Sequence, residues 1–446
     1  MPILPPELTD CIIEHLAFDS WSISSNEDNL QLCGPGAPIL ACSLVARSWV
    51  ATSRKYMLPN GFYAPRSADR FERLKEIFSS PHCTLHLTRV RQLILDGRCQ
   101  HSSDSFGLHQ FMRWCGTSLP GPGGITIRPV ETLFGSVESV QFLDIVLGET
   151  YGSWNKHLPL DALHFLCDDL PKVKSFHLNG CRFSTAVIYS KFIESPFFQK
   201  LDFLDAKHVE GADSQNHNLN LTYESESISP LSSIPALQHI SLGSPELLKG
   251  FPLLANLQTA ELSFTAQPYK SVGTIVNEVD YLLRGSQELR VLRFKLPLNL
   301  TWQWDVRRQE HPDVEIDPGA FDLGNWPQLQ ELHLDVHPDL IIPILSLETP
   351  HPSLSAISIA ELKHGKVDLG ELDRVLSTSF PQLRSLSFKM VVGVRFSQLY
   401  SFGANDESRG KSERVRKEVE GCMPWCAGRG SLNVTFEHVW DPSLPA

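Results

Sequence analysis

Soft and borderline metal ligands cluster at two places in the 446-residue sequence. The first cluster comprises His82, Cys83, His86, Cys99 and His101. The second contains Cys422 and Cys426, with His438 as the nearest further ligand. A structural zinc ion needs four such ligands that converge at about 2.0–2.3 Å. A strand predicted from Val90 separates the first set, and the second offers only three ligands, so the sequence predicts no metal and no other cofactor.

Residues that could perform catalysis are sparse. Gly121-Pro122-Gly123-Gly124 lacks the lysine and hydroxyl of a phosphate-binding loop, so it is interpreted as a turn. Asp168-Asp169 precedes a predicted strand, where capping or solvation is favoured over a role as an acid/base pair. The serine-hydrolase elbow, the zinc-protease helix motif and the Walker A loop do not occur in the sequence. We therefore predict that the chain is not an enzyme.

The composition is that of a globular protein, with 42% hydrophobic and 20% charged residues. The formal net charge of −12 argues against a general nucleic-acid binder, which needs a basic surface. No run approaches the roughly 20 apolar residues of a membrane helix. Glu7, Asp10 and Glu14 interrupt the first apolar stretch, unlike a signal peptide. We expect no nucleic-acid or membrane partner, a cytoplasmic or nuclear location, and ten reduced cysteines.

The first sixty residues predict three short helices. Leu8, Ile12, Ile13 and Leu16 recur at helical spacing after an opening proline pair. A second helix is predicted from about residue 38 to 45, and a third from about residue 48 to 57. A helical unit of this size buries a limited core and often keeps an apolar face for a partner.

This pattern resembles the F-box family over roughly residues 4–58. The first half of the family signature reads Leu4, Pro5, Glu7, Leu8, Ile12 and Leu16 here, and the second reads Leu40, Cys42, Leu44, Val45, Arg47 and Trp49. The link between the halves is longer than the family usually has, and it is either a tolerated surface loop or a disturbance of the partner face. The resemblance implies a Skp-type adaptor, which itself binds a cullin scaffold. The adaptor face implied by the resemblance comprises Leu4, Pro5, Leu8, Ile12, Leu44, Val45 and Trp49.

A short motif recurs along the rest of the chain: an apolar residue, two others, an apolar residue, one other, and an apolar residue. The copies begin at Val90, Val137, Val173, Phe198, Leu237, Leu257, Leu289, Leu329, Leu354 and Leu383, and the Phe198-Leu201-Phe203 copy is weaker. Several copies share the lead-in Pro-x-Leu, as in Pro327-Gln328-Leu329. A last strand is predicted at residues 432–436. Each copy predicts a strand and a return segment, stacked so that neighbours bury each other's apolar rows.

The repeats resemble leucine-rich repeats in a degenerate form, and Val173, Phe176, Leu178 and Cys181 match the variant with a buried cysteine. We therefore predict an α/β fold with a three-helix F-box at residues 1–60 and a connecting helix at residues 61–84. An irregular leucine-rich-repeat-like solenoid with short parallel strands is predicted at residues 85–440. A charged insertion at about residues 403–430 is interpreted as a solvated helix or a loop.

Side chains between the apolar positions are predicted to line a concave face, because alternate side chains of a strand point to opposite sides. The candidates for substrate contact are His177, His239, Glu261, Arg293, Lys295, Glu331 and His333, and the same face includes Gln92, Ile94, Asn179 and Lys389. Their mixed charge indicates a recognition surface without identifying its ligand. The resemblance implies a substrate receptor of an SCF-type ubiquitin ligase with an unknown protein substrate. The alternative is a protein-binding scaffold outside ubiquitylation, which a blocked adaptor face would favour.

Overall fold

The structure is a computed structural model of the chain. It describes residues 62–64, 68–79, 90–97, 111–112, 114–115, 119–120, 126–127, 134–148, 157–159, 170–184, 186–210, 236–243, 254–264, 272–296, 321–363, 367–394 and 405–440, and the single residues Ile12, Trp49 and Ser53. The chain divides into two compact units. Unit 1 comprises residues 1–203 and 208–220, and unit 2 comprises residues 204–207 and 221–446.

Unit 1 is built around a parallel sheet. Its strands are β1 (Phe62–Tyr63), β2 (Gln92–Asp96), β3 (Leu119–Pro120), β4 (Thr126–Ile127), β5 (Ser139–Leu143), β6 (Val146–Gly148), β7 (His157–Pro159) and β8 (Ser175–Phe183), and its helices are α1 (Ala68–Ser79) and α2 (Ala186–Glu194). Strands β1, β2, β5 and β8 pair in parallel in that order. Strand β6 pairs in parallel with β7 and β8, and β3 pairs antiparallel with β4. Strand β9 (Phe203–Glu210) follows a short 3-10 turn at Phe198–Lys200.

Unit 2 is a run of parallel strands in chain order. They are β10 (His239–Leu242), β11 (Thr259–Ser263), β12 (Val291–Lys295), β13 (Glu331–Asp335), β14 (Ala356–Lys363), β15 (Ser385–Val394) and β16 (Leu432–Trp440), and the helices are α3 (Val272–Leu283), α4 (Pro338–Leu345), α5 (Leu369–Ser379), α6 (Asn405–Cys422) and α7 (Pro424–Gly428). Each strand pairs with the next one along the chain. Parallel neighbours need crossover connections, and from β11 to β12 and from β13 onward these contain the helices. The predicted α/β class with parallel strands is confirmed.

The apolar positions of the motif form the core. All three residues of nine copies are buried, from Val90, Leu93 and Leu95 to Leu383, Leu386 and Phe388. The weaker copy at Phe198 was placed three residues too early, because the buried residues of that strand are Leu201, Leu204 and Ala206. Phe203 is half-buried on the other side of the strand. Phe198 is buried as well, and it occupies the turn that precedes the motif.

A tight turn before the strand explains the Pro-x-Leu lead-in at Leu329 and Leu383. The backbone N–H of Leu329 donates to the carbonyl of Trp326, 2.9 Å away, and Leu383 donates in the same way to Phe380. The proline of the lead-in therefore holds the second position of a four-residue turn, where its fixed φ fits and its missing N–H is not needed. The residue that opens the turn is buried in the core, as Trp326 and Phe380 are.

Polar side chains at this turn position link successive turns of unit 2. The Ser286 hydroxyl donates to the Leu254 carbonyl at 2.7 Å, and the Trp326 indole donates to the Leu283 carbonyl at 2.8 Å. In the next repeat, His351 Nε2 lies 3.1 Å from the Trp326 carbonyl oxygen. These bonds satisfy buried carbonyl groups between neighbouring repeats, which lowers the cost of burying them.

The buried His351 is held in one neutral form. Its Nδ1 accepts hydrogen bonds from the backbone N–H groups of Leu354 at 3.0 Å and Ser353 at 3.3 Å, so the ring proton must be on Nε2. Burial lowers the pKa of His351 from its ordinary value of 6.5, against the opposing effect of the Trp326 carbonyl. Protonation of Nδ1 would also place a proton against the backbone N–H groups of Leu354 and Ser353, which now donate to this atom.

We expect His351 to make unit 2 less stable as the pH falls below about 6.5. The unfolded chain binds the proton more readily than the folded chain, so the free energy of unfolding decreases on acidification by up to about 1.4 kcal/mol per pH unit. The loss continues until the pH reaches the lowered pKa of the folded form. His351→Asn keeps an acceptor for the turn and cannot titrate, so its urea midpoint should fall less between pH 7 and pH 5. An equal fall of the urea midpoint with pH in the wild type and in His351→Asn would contradict this prediction.

The charged segment near the C-terminal end forms the crossover between β15 and β16. Helix α6 buries Val415 and Val419, where the sequence favoured a solvated helix or a loop. The buried carboxylate of Asp373 on α5 accepts the backbone N–H groups of Trp425 and Cys426 at 2.9 and 3.1 Å, which caps the start of α7. The segment is therefore packed against its neighbours, because two adjacent parallel strands must be joined across one side of the sheet.

Of the helices that the structure describes, none combines the length and the apolar character that crossing a bilayer requires.

Candidate binding face of the parallel sheet

The side of the unit 2 sheet opposite the apolar core carries most of the sequence-predicted contact residues. We define the charged face as the outward side chains of residues 204–207 and β10–β16. Strand register aligns one row across this face: Ser241, Glu261, Arg293, His333, Ser358 and Ser387. Residues distant in sequence become lateral neighbours because each strand pairs in parallel with the next.

Three strands contribute a group of charges at one end of the charged face. Lys207 Nζ is 2.9 Å from Glu261 Oε2, and β10 lies between the strands that carry them. The Lys207 side chain therefore reaches across β10, and its backbone approaches β10 closely at Gly243. A Cβ atom at Gly243 would collide with the Lys207 carbonyl oxygen, so only glycine fits this close approach. Arg293 Nη1 lies 3.9 Å from the same Glu261 oxygen, so one carboxylate serves two cations.

His239 is surrounded by this group of charges. Its partial burial lowers its pKa from the ordinary value, and the carboxylates of Glu261 and Asp205 act in the opposite direction. Lys207 and Arg293 reinforce the lowering. The imidazole therefore lies among two acidic and two basic side chains, so its pKa depends on where they lie.

Further ion pairs continue the charged face. Lys295 Nζ lies 2.8 Å from Asp335 Oδ2 on the adjacent strand. Lys389 Nζ lies 2.9 Å from Glu361 Oε1 and 2.6 Å from Glu437 Oε2, on the strands to either side of it. Its hydrogen bonds to Glu361 and then to Glu437 raise the pKa of Lys389 well above the ordinary value. The pairs are partly exposed, so their mutual attraction orients the side chains more than it stabilises the fold.

The structure brings six of the seven predicted contact residues onto neighbouring strands of unit 2. His239 lies on β10, Glu261 on β11, Arg293 and Lys295 on β12, and Glu331 and His333 on β13. Glu331 is exposed, with His333 Nε2 3.7 Å away. Their role in binding stays a prediction.

The seventh residue, His177, lies in unit 1 on β8. Its Nε2 is 3.0 Å from the Ser175 hydroxyl, and its ring centroid is 5.1 Å from that of Phe203. On the same side of the unit 1 sheet, Gln92 Nε2 donates to Gln141 Oε1 at 3.4 Å. Ile94 was predicted to line the surface of this side and is buried instead. His177 is therefore not part of the charged face as defined above.

The predicted adaptor face falls almost entirely outside the described residues. Leu4, Pro5, Leu8, Leu44 and Val45 are not described, whereas Ile12 is helical and 40% exposed, and Trp49 is half-buried. This face also stays a prediction.

Four ion-pair partners on the charged face were missed by sequence reasoning. Lys207, Asp335, Glu361 and Glu437 are the ion-pair partners described above. Asp335 and Glu437 follow the two-residue alternation past the end of the motif, so extending the pattern would have found them. Glu361 could not be placed in this way, because the pairing of β14 with β15 shifts between Ile359 and Leu362. Lys207 was missed because the Phe198 copy was placed three residues too early, which assigned the wrong residues of that strand to the outward side.

Of the cysteines that the structure describes, Cys115, Cys181 and Cys426 are buried and Cys422 is exposed. Burial raises the pKa of Cys181 and of Cys426 to about 12, so both stay protonated at neutral pH. Cys181 Sγ lies 3.5 Å from the Phe142 carbonyl on the neighbouring strand. Within the described ranges, no three His, Cys, Asp or Glu residues are grouped so that they could hold a metal ion. The cluster at His82–His101 lies outside those ranges.

No model of a known protein family matches the chain, and no curated protein matches it.

We expect Glu261→Gln to lower the pKa of His239 further. The substitution removes the negative charge that raises this pKa, while burial, Lys207 and Arg293 continue to lower it. The free energy of unfolding should change by less than about 1 kcal/mol, because the ion pairs involved are partly exposed. NMR titration of histidine ring protons in labelled protein measures the shift, with Glu331→Gln as the matched control on a strand not adjacent to β10. An unchanged pKa of His239 in Glu261→Gln would show that the Glu261 carboxylate does not act on His239.

Proposed function

We propose that the chain is a non-catalytic substrate receptor of an SCF-type ubiquitin ligase, with an F-box at residues 1–60 and a leucine-rich-repeat-like solenoid after it. The two-part signature between Leu4 and Trp49 supports the first part of this proposal. The stacked parallel strands support the second, since successive copies of the motif contribute successive paired strands in unit 2.

The observation that carries the binding role is the charged face. Its lysines, Lys207, Lys295 and Lys389, are each paired with carboxylates of other strands, which orients them before a partner arrives. A face with both signs of charge in fixed places favours a protein surface with the complementary arrangement, since complementary charges select the partner and like charges reject others. In this proposal the chain contributes proximity and orientation of the substrate, and the ubiquitin-carrying enzyme performs the chemistry.

Reconstitution tests the proposal. The full chain, co-expressed with a Skp-type adaptor and a cullin scaffold, should co-purify with both in a complex of defined stoichiometry. A chain that lacks residues 1–60 serves as the control, because it should lose both proteins. Failure of the full chain to capture the adaptor would remove the ligase assignment and leave the charged face as a binding surface of another kind.

A protein-binding scaffold outside ubiquitylation is the second candidate. The long link between Leu16 and Leu40 favours it, because an insertion of that size next to the adaptor helices could obstruct docking. Adaptor capture without cullin, or unchanged half-lives of bound proteins after deletion of the gene, would support this candidate. Deleting residues 19–38 discriminates between the two, since relief of an obstruction would increase adaptor binding.

A further inference from the structure

Among the strands that the structure describes, β16 is the last in the order of the sheet and pairs only with β15. The Leu386 N–H donates to the Ser431 carbonyl at 2.8 Å, which sets the register between β15 and β16. Because successive backbone groups of a strand point to opposite edges, the groups of Asn433, Thr435 and Glu437 face β15. Those of Leu432, Val434 and Phe436 face outward, and no described strand pairs with them.

This edge lacks the features that usually protect a terminal strand. Strand β16 is nine residues long, Leu-Asn-Val-Thr-Phe-Glu-His-Val-Trp, with no proline and no lysine or arginine. Short length, prolines and lysines are the common means of preventing edge-to-edge pairing. A long edge of alternating apolar and polar residues is instead well suited to receive another strand.

The apolar side of β16 is incompletely covered. Leu432, Val434 and Phe436 are half-buried, whereas their partners on β15, Leu386, Phe388 and Met390, are buried. The Arg416 guanidinium lies 5.5 Å from the centre of the Phe436 ring and covers part of it. A strand added next to β16 would extend the apolar row and bury the remainder.

We propose that the occupant of this edge is β16 of a second copy of the chain, paired antiparallel about a two-fold axis. In the register that places Thr435 opposite Thr435 of the second copy, Val434 faces Phe436 and Asn433 faces Glu437. An isologous interface must be self-complementary, and this register satisfies that requirement. The apolar side joins a β-branched residue to an aromatic one, and the polar side joins an amide to a carboxylate, with no like charges opposed.

The dimer follows from the edge alone and does not depend on the ligase assignment. It would give each assembly two charged faces, so that a partner with two binding segments would be held by both. Dimerisation uses the backbone edge of β16 and substrate binding uses the charged face, and the outward side chains of β16, such as Glu437, belong to both.

Sedimentation velocity of the full chain at increasing concentration tests the dimer. The wild-type chain should shift from monomer to dimer within the micromolar range typical of modest interfaces. Val434→Pro removes an outward N–H and leaves the bonds to β15, which proline on an edge strand permits. It should weaken the dimer at least tenfold with an unchanged circular dichroism spectrum. Thr435→Val, which keeps the backbone and the β-branched shape, is the matched control and should dimerise like wild type.

Disulfide formation in cysteine variants tests the register between the two β16 strands of the dimer. Thr435→Cys places two thiols directly opposite each other, at the separation of about 4.5 Å between Cα atoms that a non-hydrogen-bonded antiparallel pair has. With oxidised glutathione it should form a covalent dimer, whereas Asn433→Cys, whose residue faces Glu437, should not exceed the wild-type background. A wild-type chain that stays monomeric, a dimer that persists in Val434→Pro, or equal cross-linking of the two cysteine variants would overturn the proposal.

Discussion

Replacing Trp326 with alanine is expected to lower the free energy of unfolding by about 3–5 kcal/mol, the cost of removing a large buried aromatic side chain. Trp326 is fully buried at the turn before β13, and its ring meets Phe321 edge-on with centroids 5.3 Å apart. The substitution also removes the indole donor from the Leu283 carbonyl. A decrease in the urea midpoint, followed by circular dichroism, measures the loss.

Two further variants separate the causes of this loss. Trp326→Phe retains most of the buried area and removes the indole hydrogen bond, so it should cost less than the alanine variant, with the lost hydrogen bond itself accounting for about 0.5–1.5 kcal/mol. Tyr281→Ala removes an aromatic side chain that is 62% exposed on α3 and should change the free energy by less than about 0.5 kcal/mol. Equal losses for Trp326→Ala and Tyr281→Ala would mean that the turn position does not anchor the core.

The double variant Leu8→Asp, Trp49→Ala is expected to weaken capture of a Skp-type adaptor by at least about 100-fold. The resemblance places both residues on the adaptor face, and a few buried apolar anchors carry most of the energy of an interface. A carboxylate at position 8 would be desolvated without a partner, which adds to the loss of contact area. Biolayer interferometry with the purified adaptor measures the change.

The adaptor experiment needs evidence that unit 2 stays intact. Tyr281→Ala, far along the chain from residues 1–60, should bind the adaptor like wild type. The double variant should keep the wild-type urea midpoint of unit 2 and the titration of His239. If it binds the adaptor with wild-type affinity, residues 4–49 are not an adaptor face, whatever the outcome of the dimer experiments on β16.

Much of the fold could be predicted from local spacing. The interval from Leu329 to Leu332 and Leu334 is a property of one short segment, and it identifies a strand, its buried side and the turn before it. The misplaced copy shows the limit of this reasoning. Phe198, Leu201 and Phe203 have the required spacing, but Phe198 belongs to the turn and Leu204 to the core. Spacing alone does not decide between the two readings when every position is apolar.

The candidate face was predicted less completely. Alternation places Glu261 and Arg293 on the polar side of their strands, yet it does not say which charges meet. Lys207 reaches Glu261 across an intervening strand, a contact between residues that are not on paired strands. Lys389 reaches Glu361 because the register of two strands shifts before that residue.

The sequence by itself determined which side chains face the core in nine copies of the motif, because the two-residue period of a strand and the turn chemistry of Pro-x-Leu act within a few residues. It also determined that several outward residues of unit 2 are charged. Tertiary structure alone decided the ion pairs, the neutral form of His351 and the open edge at β16. These features depend on the register between strands that are far apart in sequence and on which strand comes last in the sheet. A local pattern encodes neither of these.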